Sequence, residues 1–199
     1  MNPEESPWRE KYRVRLGAAA GIVFIWRAQP TSLVFLFSGL LLGSLGILLR
    51  QWAAGCLMKN DELATKGPYA IVRNPLYLGS FVAAAGLMLA ATSFAHPTDL
   101  RRGHVDRTLF FWAILWIFID SVYMPKIRKE AALLRARFGA EYDAYAERVP
   151  ALFPRLSRQL RPNFSTFSVE LWKKNEEYWS LVGFAFICVI LIFRFHYAR

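Results

Sequence analysis

Two groups of residues have types and spacings suited to gripping a polar ligand. The first is Lys66-Gly67-Pro68-Tyr69-Ala70-Ile71-Val72-Arg73-Asn74-Pro75-Leu76-Tyr77-Leu78-Gly79. Asn74 followed by Pro75 is a good helix cap and first-turn pair. The bare N–H groups of a helix start favour an anion such as a carboxylate, and Arg73 beside them adds a cation. Asn-Pro also serves simply to begin a helix, and cap and binding site are compatible. The second group lies in 126–149, where Ile127, Ala131, Leu134, Phe138, Tyr142, Tyr145 and Val149 recur at steps of three and four, the period of an amphipathic helix. Glu130 sits at the edge of that stripe, where an unpaired carboxylate is costly. Either it reaches water or pairs with Arg128 or a neighbouring turn, or it accepts hydrogen bonds from a ligand's amino group or ribose hydroxyls. Tyr69, Tyr77, Tyr142 and Tyr145 offer ring faces to a cation or a base, or equally well anchor the chain at a membrane boundary.

The elements that must position these groups are apolar. Of 199 residues, 55% are hydrophobic and 16% aromatic, and they are bunched into runs rather than spread with a soluble amphipathic period, which predicts an integral membrane protein. The runs are 16–26, 32–49, 75–94, 108–123 and 178–195, giving an all-α, polytopic bundle of about five spans. The first run is short for a span, which takes ~20 residues; Arg15 and Arg27 can snorkel to extend it, or it forms one arm of a hairpin. Pro125 stops the fourth span. Gly39, Gly43 and Gly46 in the second run, and Gly79, Ala83, Gly86 and Ala90 in the third, have the small-residue spacing that lets helices approach closely in lipid. The stretch 126–149 is one amphipathic helix outside the bilayer, and 150–172 is irregular and basic. The chain thus divides into a basic tail over 1–15, a membrane core over 16–155, and a basic linker with an additional span over 156–199.

The formal charge of +10 follows topology. Segments 1–15, 50–75 and 125–177 hold 4, 4 and 11 of the 25 Lys and Arg, and the opposite side holds 6. That bias places the first set in the cytoplasm, so both polar groups face one compartment. Residues 2–15 are charged and show no secretory signal. With no reader motif, nucleic acid is excluded as a partner; Arg155, Arg158, Arg161, Lys173 and Lys174 suit anionic lipid headgroups instead. Cys56 and Cys188 lie far apart with no CxxC, so neither a disulfide framework nor a metal site is expected.

At these residues the chain resembles the isoprenylcysteine carboxyl methyltransferase and phospholipid methyltransferase family of membrane enzymes. The first motif of that family appears as Gly67-Pro68-Tyr69 and Arg73-Asn74-Pro75-Leu76-Tyr77-Leu78-Gly79. The second appears as Glu130, Leu134, Phe138-Gly139, Tyr142, Tyr145 and Val149-Pro150. The resemblance covers roughly residues 30 to 155. Asn74 stands where many members have His, and Ala131 where a second Glu is usual. The resemblance implies S-adenosylmethionine as methyl donor, bound by Gly67, Pro68, Tyr69, Val72, Arg73, Asn74, Tyr77, Leu78, Glu130, Tyr142 and Tyr145, with Arg73 and Glu130 holding its ends, or with Arg73 instead orienting an anionic acceptor. No GxGxxG or P-loop is present.

Transfer of a methyl group from a sulfonium to a carboxylate, thiolate or neutral amine depends mainly on positioning. The expected acceptor is a lipophilic small molecule or a lipid-modified substrate arriving through the membrane. No general base stands out. Asp120, an ionisable residue within a span, is a functional candidate by default, or else forms an interfacial ion pair with a residue such as Arg50. Two other classes compete. A non-enzymatic membrane scaffold or carrier predicts no donor binding and tolerance of Arg73→Ala and Glu130→Ala. A membrane sterol-type reductase of related fold requires a nicotinamide site. Neither the acceptor atom nor the oligomeric state follows from sequence.

Overall fold

The structure, a computed structural model, describes residue 15 and residues 19–58, 62–92, 104–154 and 167–197. The expected basic tail over 1–14, the loop residues 96–103 and the cations Lys59, Arg155, Arg158 and Arg161 lie outside the described residues. The described chain is helical, with no strand among those residues. In order come α1 (19–27), α2 (Leu33–Gly55), a 3-10 turn (Gly67–Ala70), α3 (Pro75–Ala90), α4 (His104–Phe118), α5 (Met124–Phe138), α6 (Ala140–Arg148), α7 (Val169–Lys174) and α8 (Tyr178–Tyr197). Among the described residues, three helices are long and apolar enough to cross a membrane: Leu33–Gly55, Leu109–Phe138 and Tyr178–Tyr197. α3, with 16 residues, is apolar but shorter.

The α2–α3 pair is the spine. Its two backbones meet through the expected small residues. A Cβ on Gly86 would lie 2.3 Å from the Gly43 nitrogen, and one on Gly46 would lie 2.4 Å from the Ala83 nitrogen. Where lipid supplies no hydrophobic drive between helices, such close backbone contact is the source of cohesion. Gly86→Ala is therefore expected to push the helices apart and cost ~1–3 kcal/mol of stability. Thermal unfolding in detergent measures this; a midpoint equal to that of the unaltered protein would contradict so close a contact. The hydroxyls of Ser38 and Ser44 bond back to the carbonyls of Val34 and Leu40 at 2.7 and 2.8 Å, which satisfies them without water.

α8 packs on the spine. Phe184 joins Ile47 and Ala83, while Leu191 and Phe195 join Phe24, Ala28, Leu36 and Ala90. At its far end Arg194 Nη1 donates to the carbonyls of Trp26 and Ala28 at 2.9 and 2.7 Å, closing the C-terminus of α1. Outer faces such as Leu41 and Leu48 on α2 and Phe186 and Val189 on α8 remain exposed, as lipid-facing surfaces do.

Four local expectations are corrected. Pro125 does not stop its helix. A wider π-type turn, Ile119–Tyr123, precedes it, and the Met124 N–H bonds five residues back to Ile119. Such a turn relieves the clash and missing donor that a proline imposes on a regular helix, so Leu109–Phe138 runs on as one rod. Conversely, 126–149 is two helices, because Gly139 takes φ 52° and ψ −125°, a conformation that a side chain disfavours. The apolar stripe is also incomplete: Ile127, Tyr142, Tyr145 and Val149 are buried, but Leu134 is exposed. Residues 169–172, expected to be irregular, lie in α7 (Val169–Lys174), capped where Ser168 Oγ accepts from the Leu171 N–H at 3.3 Å.

Candidate functional site

The connector between α2 and α3 folds back on itself before it meets α5 and α6. The N–H groups of Tyr69, Ile71 and Val72 bond to the carbonyls of Lys66, Pro68 and Pro68, each at 3.1 Å. Gly67 permits this turn with φ 60°. Gly67, Pro68, Tyr69 and Val72 are all buried. Asn74 caps α3 through its backbone, its carbonyl accepting from the Leu78 N–H at 3.0 Å. Its side chain does not cap: Nδ2 donates to the Ala151 carbonyl at 3.0 Å. Leu78 itself is half-buried on α3.

The second motif then locks onto the first. The backbone N–H groups of Arg73 and Asn74 donate to the carbonyls of Pro150 and Ala151 at 2.9 and 3.2 Å. Tyr145 Oη donates to the Tyr69 carbonyl at 2.8 Å. Arg73 Nη1 donates to Tyr142 Oη at 2.9 Å, with its guanidinium 5.7 Å from the ring centre. Tyr77 Oη donates to Glu130 Oε1 at 2.6 Å. Leu63, Ala131 and Phe138 pack around Tyr142, Tyr145 and Val149, so the seam is apolar behind and polar in front.

Arg73 and Glu130 are held by different tyrosines rather than by each other. A cavity of about 270 Å³ is lined by Arg73, Arg128, Ala131, Ala132, Arg135 and Tyr142. Glu130 is not among its walls; it lies one residue away along α5, beside Tyr77. Of the two pairings open to Glu130, that with a neighbouring turn is formed and that with Arg128 is not. Glu130 instead has Lys126, one helical turn earlier, at 3.7 Å, because positions four apart share a helix face and positions two apart do not. Nor does Arg50 serve Asp120, which is exposed; Arg50 pairs with Glu177 at 2.6 Å. Arg128 and Arg135 are cavity residues that inspection of the motifs missed. Their spacing with Ala131 and Ala132, at steps of three and four, was the available signal.

Two polar atoms here are buried without a hydrogen-bond partner, Arg73 Nε and Tyr69 Oη. Leaving such groups unmet is costly, and each calls for a partner that the protein's own side chains do not supply. Burial, then the neighbouring Tyr145, holds the Tyr69 hydroxyl well above the usual tyrosine range. Burial likewise raises Tyr145, against the lowering effect of Arg73. Both hydroxyls therefore stay protonated through neutral pH and remain donors.

Fold and site together define a helical membrane protein with a cavity where a Gly-Pro connector docks on α5 and α6. Residues 41–99 match the phospholipid methyltransferase family model, and this segment belongs to that family. Three relatives extend the similarity. A nickel-cobalt-cadmium resistance protein of Alcaligenes xylosoxydans xylosoxydans is 36% identical over 124 residues, 59% of this chain and 51% of that protein. A cobalt-zinc-cadmium resistance protein of Cupriavidus metallidurans is 31% identical over 152 residues, 75% of this chain and 63% of that protein. The protein-S-isoprenylcysteine O-methyltransferase of Schizosaccharomyces pombe is 34% identical over 96 residues, 48% of this chain and 34% of that enzyme. The chain thus spans less than two thirds of the length of each of these relatives. No solved structure matches it at a significant level.

Proposed function

We propose that this chain is an S-adenosylmethionine-dependent methyltransferase of the membrane whose site opens to the cytoplasm and whose acceptor is lipophilic, such as a prenylcysteine carboxylate, a lipid amine or a thiol. The observation that carries this reading is the interlocking of the two motifs: Arg73 on Tyr142, Tyr77 on Glu130, and Tyr145 on the Tyr69 carbonyl. The family of residues 41–99 supports the same chemistry. Five crossings, with α3 and the segment of α1 added to the three longer helices, fit the distribution of cations along the chain.

The residues present fit the donor. When bound, S-adenosylmethionine supplies an electrophilic methyl group on a sulfonium. Arg73, with Nε unmet and its side chain on the cavity wall, would bind a carboxylate, and Glu130, one residue beyond that wall beside Tyr77, would accept from an amino group or ribose hydroxyls reaching past it. The Tyr142 ring presents a face to positive charge, and Tyr69 Oη offers a further donor. The apolar seam behind them excludes water from the reacting centre. The chain's part is then to orient an acceptor that already arrives as a nucleophile.

Two relatives are named for metal resistance. Among the described residues no three His, Cys, Asp or Glu side chains gather as a metal site, and the contacts that support a function are those of the donor pocket. Calorimetry of S-adenosylmethionine into the detergent-purified protein tests the proposal. Saturable binding heat is expected, displaced by the demethylated product; a flat titration overturns it.

A further inference from the structure

The C-terminal segment lies outside the family-matched residues, yet it is fastened to the C-terminal end of α2, where Arg50 also reaches α3. The N–H of Ser168 donates to the Gly55 carbonyl at 2.8 Å, and Phe167 packs on Gly55, where a Cβ would lie 2.3 Å from its ring. Trp172 Nε1 donates to Gln51 Oε1 at 2.6 Å, and Asn175 Nδ2 donates to the carbonyls of Ala54 and Leu57 at 2.8 and 3.0 Å. Glu176 then takes φ 54°, a left-handed conformation that a non-glycine residue keeps only where its surroundings over-determine it. That turn delivers Glu177 inward, 9% exposed.

Arg50 is the node. Its Nε donates to Glu177 Oε1 at 2.6 Å, while Nη1 donates to the Leu76 carbonyl at 3.2 Å and to Ser80 Oγ. Leu76 and Ser80 belong to the opening turns of α3, directly after Arg73 and flanking Tyr77. One guanidinium therefore joins α2, the start of α3 and the start of α8. Its planar fork does this in a way that a point-charge ammonium cannot.

We propose that Arg50 and Glu177 are a positioning pair for the methyl-donor site: Glu177 aims the Arg50 fork, and the fork sets the first turn of α3 and with it Arg73 and Tyr77. This rests on the donor-binding function proposed above. The C-terminal strap, residues 167–177, is then part of the frame of the site rather than an added anchor.

The test uses full-length protein with Cys188→Ala, so that alkylation of Cys56, which lies beneath the strap between Ala54 and Leu57, reports whether the strap is seated. Arg50→Lys keeps the ion pair with Glu177 but loses the reach to Leu76. It is expected to raise the Kd for S-adenosylmethionine about tenfold while Cys56 alkylation and the unfolding midpoint stay at parental values. Glu177→Ala is expected to raise the Kd similarly and to speed alkylation. If Arg50→Lys binds the donor within twofold of the parent, or weakens binding only together with faster alkylation and a lower midpoint, the pair is structural and the proposal is overturned. If the parent itself binds no donor, the donor-site reading fails first and takes the proposal with it.

Discussion

Arg73→Ala should lower kcat/KM for methyl transfer by roughly 10²–10³-fold, the scale of losing a charged donor aimed at a ligand, and leave the protein at least as stable as before. The two halves of this expectation have separate causes. The docking of the connector on the second motif uses the Arg73 backbone N–H, bonded to the Pro150 carbonyl at 2.9 Å, and alanine keeps that group. The side chain, in contrast, holds a buried Nε with no partner, an arrangement that costs folding free energy. Removing it relieves that cost, at the expense of the single bond to Tyr142 Oη. Function lost while stability holds is the behaviour of a residue kept for its ligand. Arg73→Lys restores the charge but not the fork, so recovery should be partial. Methyl transfer from labelled donor, measured beside thermal unfolding, decides the matter. Full activity in Arg73→Ala would remove Arg73 from the site.

Glu130 is the second large effect, and it separates two roles. Its Oε1 accepts from Tyr77 Oη at 2.6 Å, so it either orients that tyrosine or presents its carboxylate to the donor. Glu130→Gln keeps an oxygen for Tyr77 but loses the charge. Tyr77→Phe keeps the charge but loses the tyrosine bond. Because charge-assisted bonds are about twice as strong as neutral ones, Glu130→Gln should weaken donor binding about as much as Glu130→Ala, roughly 10–100-fold. Tyr77→Phe should cost no more than ~10-fold. The Lys126 ammonium, half-buried 3.7 Å from the carboxylate on the same face, sets the background that each variant shares. Calorimetric Kd values across the three variants give the comparison. A Gln variant that binds as the parent does, with Phe at position 77 failing, would assign Glu130 to Tyr77 alone.

Much of the site was legible because its signals are local. Asn74-Pro75 announces a helix start from two residues, and α3 begins there. The glycine and alanine spacing of the second and third runs announces close packing, and the backbones of Gly86 and Gly43 do touch. The less successful expectations concern elements whose outcome depends on what comes next in three dimensions. Pro125 reads as a stop, yet the widened turn before it lets the helix continue. Gly139 lies in a helical period that looks unbroken, yet it divides α5 from α6. A period describes which side chains share a face, not whether the backbone holds one axis throughout.

Composition, run length and motif residues by themselves determined that this chain is a helical membrane protein with a polar, cation-bearing connector between its apolar runs. Those properties follow from solvation and from short-range backbone geometry, which neighbours in sequence settle among themselves. The tertiary structure alone decided the partners of the charges: Tyr142 for Arg73, Tyr77 for Glu130, and Glu177 for Arg50. A charge in a membrane protein must find some counterpart, but which one it finds depends on distances between helices 50 to 130 residues apart in sequence. No local pattern encodes that choice; it is made only when the helices meet.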